Sequence, residues 1–145
     1  MLFYVIAILV IVLDQLSKYL IRAHIDINEA FTLWGIHLTH IENSGMAGGL
    51  FQGNARLFGI VAVLFVIGVL YFRRTGEMNG TLIDCSFGFL VGGAIGNGID
   101  RLLFGQVTDF IIRSGGILNL ADHAIEMGVF LLIIYGVVRW LKKKN

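Results

Sequence analysis

Four long apolar stretches dominate the chain. Leu2 to Leu20 is apolar except for Asp14, Gln15, Ser17 and Lys18 near its far end. Leu57 to Phe72 is uncharged and fenced by Arg56 on one side and Arg73-Arg74 on the other. Thr81 to Ile99 is apolar and glycine-rich, with Asp84 near its start. Ala121 to Leu141 carries Asp122, His123 and Glu126 in its first turns and then runs clean to Trp140. A membrane-spanning helix needs about 20 apolar residues. The pattern therefore predicts four spans, over about residues 2–20, 55–72, 81–99 and 121–141. The second borrows Ala55-Arg56, with the arginine snorkelling to the interface. The expected fold is an all-α membrane bundle of four transmembrane helices.

Between these stretches the periodicity changes. Trp34, Ile36 and Leu38 alternate with Gly35, His37 and Thr39, a period of two that predicts a strand. Asn43-Ser44-Gly45-Met46-Ala47-Gly48-Gly49 then reads as a turn. The expectation is a small extracytoplasmic sheet between helices 1 and 2. The segment from Asp100 to Leu118 has turn signals at Gly105 and Gly115-Gly116. Gly88, Gly92 and Gly96 form a four-residue ladder, which lets helix backbones approach closely in lipid.

Composition agrees. Only 14% of the 145 residues are charged, against about 25% in a soluble domain. The length suits one membrane-embedded domain, 1–145. Cys85 is the single cysteine, so no internal disulfide framework exists. No basic stripe interleaved with aromatics points to nucleic acid. The first stretch lacks a basic leading region and a small-x-small cleavage site, and is expected to be a retained helix. Four spans put both termini on one side. That side holds Arg73, Arg74, Arg139, Lys142, Lys143 and Lys144; the other holds Lys18, Arg22, Arg56, Arg101 and Arg113. The concentration of the first set in a short loop and a tail favours cytoplasmic termini.

Ionisable residues in a membrane cost about 2.5–3.5 kcal/mol each near a helix centre and need a reason to be there. Asp14 and Lys18 lie one turn apart and can neutralise one another. Asp100-Arg101 is a second candidate pair. All four fall toward the outer helix ends, as do Asp109 and Asp122; Asp84 alone lies toward the inside. Neither Asp109 nor Asp122 has an adjacent cation. Asn119 and Asp122 fit an N-cap and a favourable first-turn acid. If the outer loop folds back through Gly115-Gly116, the carboxylates of Asp109 and Asp122 can instead face each other. Two carboxylates in one site share a proton, which is aspartic peptidase chemistry. Spacing alone leaves relays and structural pairs open.

Other chemistries find less support. No serine sits in a glycine-flanked elbow. His37 and His40 point to opposite faces of a strand and read as structural surface histidines, and no dense ligand motif indicates zinc.

Five blocks then follow in order: Asp14-Gln15-x-x-Lys18, Asn43-x-Gly45-x-Ala47-x-Gly49, Gly92-Gly93-Ala94-x-Gly96-Asn97-x-x-Asp100-Arg101, Val107-x-Asp109-Phe110 and Asn119-x-Ala121-Asp122. In these blocks the sequence resembles the lipoprotein signal peptidases, the type II signal peptidases of bacteria. The resemblance implies that Asp109 and Asp122 are a catalytic dyad. It implies cleavage just before a diacylglyceryl-modified cysteine, releasing the signal peptide of a prolipoprotein. Asn43, Gly45, Asn97, Asp100, Arg101, Asn119 and Ala121 match positions that line or support the site. Asp14, with Lys18 in the same block, matches a position that holds the first helix and nearby loop. The implied setting is the bacterial cytoplasmic membrane, with the site near the outer face. The implied partners are a lipid-modified substrate and membrane lipid; the enzyme is expected to be a monomer with no metal or organic cofactor. Two positions depart from the pattern: Gly48 replaces a bulky aromatic, and Leu118 replaces phenylalanine before the last asparagine. The first bears on how the outer loop closes over substrate.

Two rival readings stand beside this one. A small transporter or proton relay would use Asp14, Asp100, Asp109, Asp122 and Glu126, but the inner halves of helices 2 and 4 are apolar. A scaffold protein packing through the glycine ladder leaves the paired acids unexplained.

Overall fold

The computed structural model describes residues 1–76 and 79–144. Four helices carry the apolar stretches: α1 (Leu2–His24), α2 (Ala55–Arg74), α3 (Thr81–Leu103) and α4 (Leu120–Lys144). Each is long and apolar enough to cross a membrane. They extend past the apolar runs that predict them, because helical hydrogen bonding continues into flanking residues such as Ile21–His24 and Asp100–Leu103.

The helices pack around α3, which touches the other three. The glycine ladder explains the closeness. A Cβ at Gly88 would lie 3.0 Å from the Phe3 carbonyl oxygen, and one at Gly92 would lie 3.0 Å from that of Ala7, both on α1. Gly93 and Gly96 face the start of α4 at Ala121. Gly128 answers from α4, against Leu90 and the Ser86 carbonyl of α3. Phe3, Ala7, Val69 and Val91 form a buried apolar cluster between α1, α2 and α3. At the same end of the bundle, Arg73 pairs with Asp84 at 2.6 Å and lies 4.4 Å from the centre of the Phe3 ring. Asp84 therefore has a local partner.

At the opposite end lies a four-stranded antiparallel sheet, ordered β1 (Ala30–Leu33), β2 (Ile36–Asn43), β3 (Val107–Arg113), β4 (Gly116–Leu118). This corrects the expectation of a sheet confined to the connection between the first two helices: half its strands come from the connection between α3 and α4. A lone hairpin is marginally stable, and β3 pairs the free edge of β2. The expected strand is also split. Trp34 and Gly35 both take positive φ, 50° and 82°, and form the two-residue turn between β1 and β2. A tryptophan gives no hint of such a turn in the sequence. Asn43 to Gly49 does turn, with a short 3-10 segment at Ala47–Gly49.

Candidate active site

Lys18 is the centre of a polar cluster where α1, α3 and α4 meet the sheet. Its ammonium lies 2.8 Å from Asp14 Oδ2 and 2.9 Å from Asp100 Oδ2, and donates to Asn97 Oδ1 at 2.9 Å. Two carboxylates and one amide oxygen thus surround the single ammonium. Lys18, Asp14 and Asp100 are all fully buried, so each charge depends on the others. The other Asp14 oxygen accepts the Ala121 N–H at 2.9 Å, satisfying an orphan donor in the first turn of α4. Gln15 donates to the Gly96 carbonyl at 3.0 Å and to Asp100 Oδ1 at 3.2 Å.

The expected Asp100-Arg101 pair does not form. Adjacent residues on a helix point in different directions. Asp100 turns to Lys18 and, at 3.5 Å, to Arg22. Arg101 instead donates to the Gly45 carbonyl at 3.3 Å. Gly45 itself is required by close packing, since a Cβ there would collide with the Leu50 carbonyl.

From Lys18 the network continues to the two remaining aspartates. Asn97 accepts from Lys18 and donates to Asp122 Oδ1 at 2.8 Å. Asn119 donates its side-chain amide to Asp109 Oδ1 at 2.7 Å and to Asn97 Oδ1 at 3.0 Å. Its side-chain oxygen accepts the Asp122 N–H at 3.0 Å, while its own N–H donates to Asp122 Oδ2 at 3.1 Å. That reciprocal pair is a capping box at the start of α4. The cap and the contact with Asp109 are thus functions of one side chain. Asn43 completes the surround, donating to Asp109 Oδ2 at 3.0 Å.

Asp109 lies on β3, 4% exposed. Burial pushes its carboxyl up to about 6, and the nearby Asp122 charge pushes the same way, against the hydrogen bonds from Asn43 and Asn119. Two cavities open onto residues of this network. One, of about 410 Å³, is largely apolar and lined by Phe58, Val61, Phe65, Leu90 and Ile125, with Asn97 and Arg101 on its wall. The other, of about 270 Å³, includes Asp109 with Glu42, Asn43 and Gln52.

All eleven residues singled out in the sequence (Asp14, Lys18, Asn43, Gly45, Asn97, Asp100, Arg101, Asp109, Asn119, Ala121 and Asp122) join this one network of contacts. Residues that sequence reasoning passed over also join it. Thr108 is fully buried and bonded to Arg22 and Glu42. His40, read above as a surface histidine, is 4% exposed and bonded on both ring nitrogens. Its place in an alternating strand gave no sign of this.

The family model described as Signal peptidase (SPase) II matches residues 6–138. The chain belongs to the signal peptidase II family. Among relatives of this signal peptidase II chain, the lipoprotein signal peptidase of Moorella thermoacetica is 42% identical, covering 90% of this chain and 89% of that protein. The lipoprotein signal peptidase of Halalkalibacterium halodurans is 34% identical, covering 100% and 99%. A solved structure described as a bacterial membrane enzyme, determined by the in meso method at 2.3 Å resolution, superposes with a TM-score of 0.88 at 30% identity. It covers 97% of this chain and 90% of that one. The family is one of peptidases, so the transporter reading is not favoured.

Proposed function

We propose that this signal peptidase II family member removes the signal peptide from diacylglyceryl-modified prolipoproteins, hydrolysing the bond before the lipidated cysteine, with Asp109 and Asp122 as the catalytic pair. The observation that carries the assignment is the Asn119 bridge, which ties the buried Asp109 and the half-buried Asp122 into one polar site.

Two carboxylates so close share one proton. Burial favours the neutral form of Asp109, so in this reading Asp109 carries it. Asp122 is then the base. It takes a proton from a water molecule, whose oxygen attacks the scissile carbonyl carbon while Asp109 protonates the carbonyl oxygen. Collapse of the tetrahedral gem-diol breaks the C–N bond; the proton gained by Asp122 passes to the leaving amine, and one hydroxyl of the diol returns its proton to Asp109. The cavity beside Asp109, with Glu42, Asn43 and Gln52 on its wall, supplies the route for water. The apolar cavity between α2, α3 and α4 takes the hydrocarbon part of the substrate, with Arg101 and Asn97 at its wall for the peptide backbone. Asn43, Gly45 and Asn119 orient the pair; Asp14, Lys18, Asp100 and Ala121 hold the helices that carry it.

In this reading residues 1–145 work as one membrane-embedded domain and as a monomer in the bacterial cytoplasmic membrane. Both termini are cytoplasmic, and the sheet and site lie at the outer face. The test is cleavage of a diacylglyceryl-modified prolipoprotein by the purified chain in detergent, beside folded Asp109→Asn and Asp122→Asn. Cleavage by the parent and none by either variant supports the assignment. A parent that never cleaves, or a variant with near-normal activity, overturns it, and proton flux through reconstituted protein then tests the relay.

A further inference from the structure

The register between β2 and β3 slips near the site. Leu38 pairs with Ile111, yet Ile41 pairs with Asp109 and Asn43 with Val107. Three steps along β2 match two along β3, so β2 carries one extra residue, a β-bulge at Thr39-His40. The bulge has a consequence for chemistry. In an unbroken register His40 would oppose Asp109, and Glu42 would share the Asp109 face. With the extra residue, Ile41 opposes Asp109 and Asn43 shares its face, because side chains alternate with a period of two. The Asn43 amide reaches Asp109 Oδ2 for this reason.

The bulge is pinned by its own side chains, both buried. Thr39 Oγ1 donates to the Glu29 carbonyl at 2.7 Å. His40 Nδ1 lies 2.7 Å from the Ile25 carbonyl oxygen, which can only accept, so Nδ1 carries a hydrogen. His40 Nε2 lies 2.9 Å from Glu42 Oε1. The same oxygen accepts the Thr108 hydroxyl at 2.9 Å, and the Thr108 oxygen is itself occupied by an N–H of Arg22 at 3.0 Å. As a carboxylate, Glu42 only accepts, and Nε2 then also donates. A ring that donates from both nitrogens is an imidazolium. The charged and polar groups around it are Glu42 on β2, Thr108 on β3 and Arg22 on α1, with Asp100 of α3 behind Arg22 at 3.5 Å.

We propose that His40 is a positioning residue for Asp109: held as an imidazolium between the Ile25 carbonyl and Glu42, it fixes the bulge that puts Asn43 on the Asp109 carboxyl. The proposal rests on the role given to Asp109 above.

Two measurements on the full-length protein in detergent test it. The first is the nitrogen-15 spectrum of the histidine rings at neutral pH, assigned by replacing the three other histidines, His24, His37 and His123, in turn. Both His40 nitrogens are expected to be protonated; a neutral His40 ring overturns the proposal even where His40 variants fail to fold. The second is prolipoprotein cleavage by His40→Gln and Glu42→Gln. Each is expected to lose about 10- to 100-fold in kcat with little change in KM, as displaced catalytic groups do. An unchanged kcat in His40→Gln overturns the positioning role. Asp109→Asn, assayed in parallel, separates the failures: an active Asp109→Asn sinks the reading of the aspartates, whereas an inactive one beside an unaffected His40→Gln sinks only the proposal about His40.

Discussion

The side-chain amide of Asn119 donates to Asp109 Oδ1 over 2.7 Å, joining the first residue of a helix cap to the middle of a strand. The capping box with Asp122 fixes the same side chain from its other end. Helix start and proposed catalytic pair are thereby one structure. Asn119→Ala is expected to cut cleavage by about 10²-fold through misplacement. It is also expected to lower stability by about 1 kcal/mol through the lost cap. Kinetics and thermal unfolding in detergent measure the two effects separately, and a variant that loses stability alone contradicts the shared role.

Asp109→Asn and Asp122→Asn are each expected to lower turnover by about 10²–10⁴-fold, the usual contribution of a positioned acid or base. Circular dichroism should show unchanged helix content in both.

The titration of Asp109 sets a stability trend. Its folded-state value, about 6, lies above the ordinary 3.8, so ionising it in the folded protein costs stability. The cost is fully present above about pH 6 and vanishes as pH falls toward 3.8. Integrated, it is about 3 kcal/mol. The parent is therefore expected to gain stability from this group as pH drops through that window. Asp109→Asn, which cannot ionise, should lack the gain and should exceed the parent in melting temperature only on the neutral side. A parallel pH dependence in parent and variant would place the titrating group elsewhere.

Lys18→Met leaves Asp14 and Asp100 buried without their shared cation, where they are fully shielded from solvent. A loss of about 3–5 kcal/mol is expected. Glu126→Gln is the control. Arg113 and Glu126 pair at 2.9 Å but are about half exposed, and such pairs contribute about 0–1 kcal/mol. Unfolding of the two variants side by side distinguishes a buried charge cluster from a surface pair.

The glycines divide in the same way. A Cβ at Gly96 would sit 2.5 Å from Asp14 Oδ2, and one at Gly128 2.6 Å from Leu90 Cγ. Gly96→Ala and Gly128→Ala are expected to destabilise by about 1–3 kcal/mol through overpacking. Gly68 and Gly136 face open space, and alanine there should be neutral or stabilising by up to about 1 kcal/mol. Equal effects at the four positions would mean that the ladder does not set helix spacing.

The four helices were legible in the sequence because lipid demands long uninterrupted apolar runs, and that demand acts on each segment by itself. The acids and amides of the site were legible as residues out of place in such runs, together with the five blocks that resemble the family. Their partners were not. Asp100 stands next to Arg101 in sequence but bonds Lys18 from another helix, since helix geometry turns neighbours apart. His40 looks like an ordinary strand residue until β3 closes over it and a one-residue slip turns Asn43, rather than Glu42, toward Asp109. Apolar runs and candidate acids are properties of single segments, which the sequence alone determines. Pairing, register and burial depend on which segments meet, and only the tertiary structure decides that.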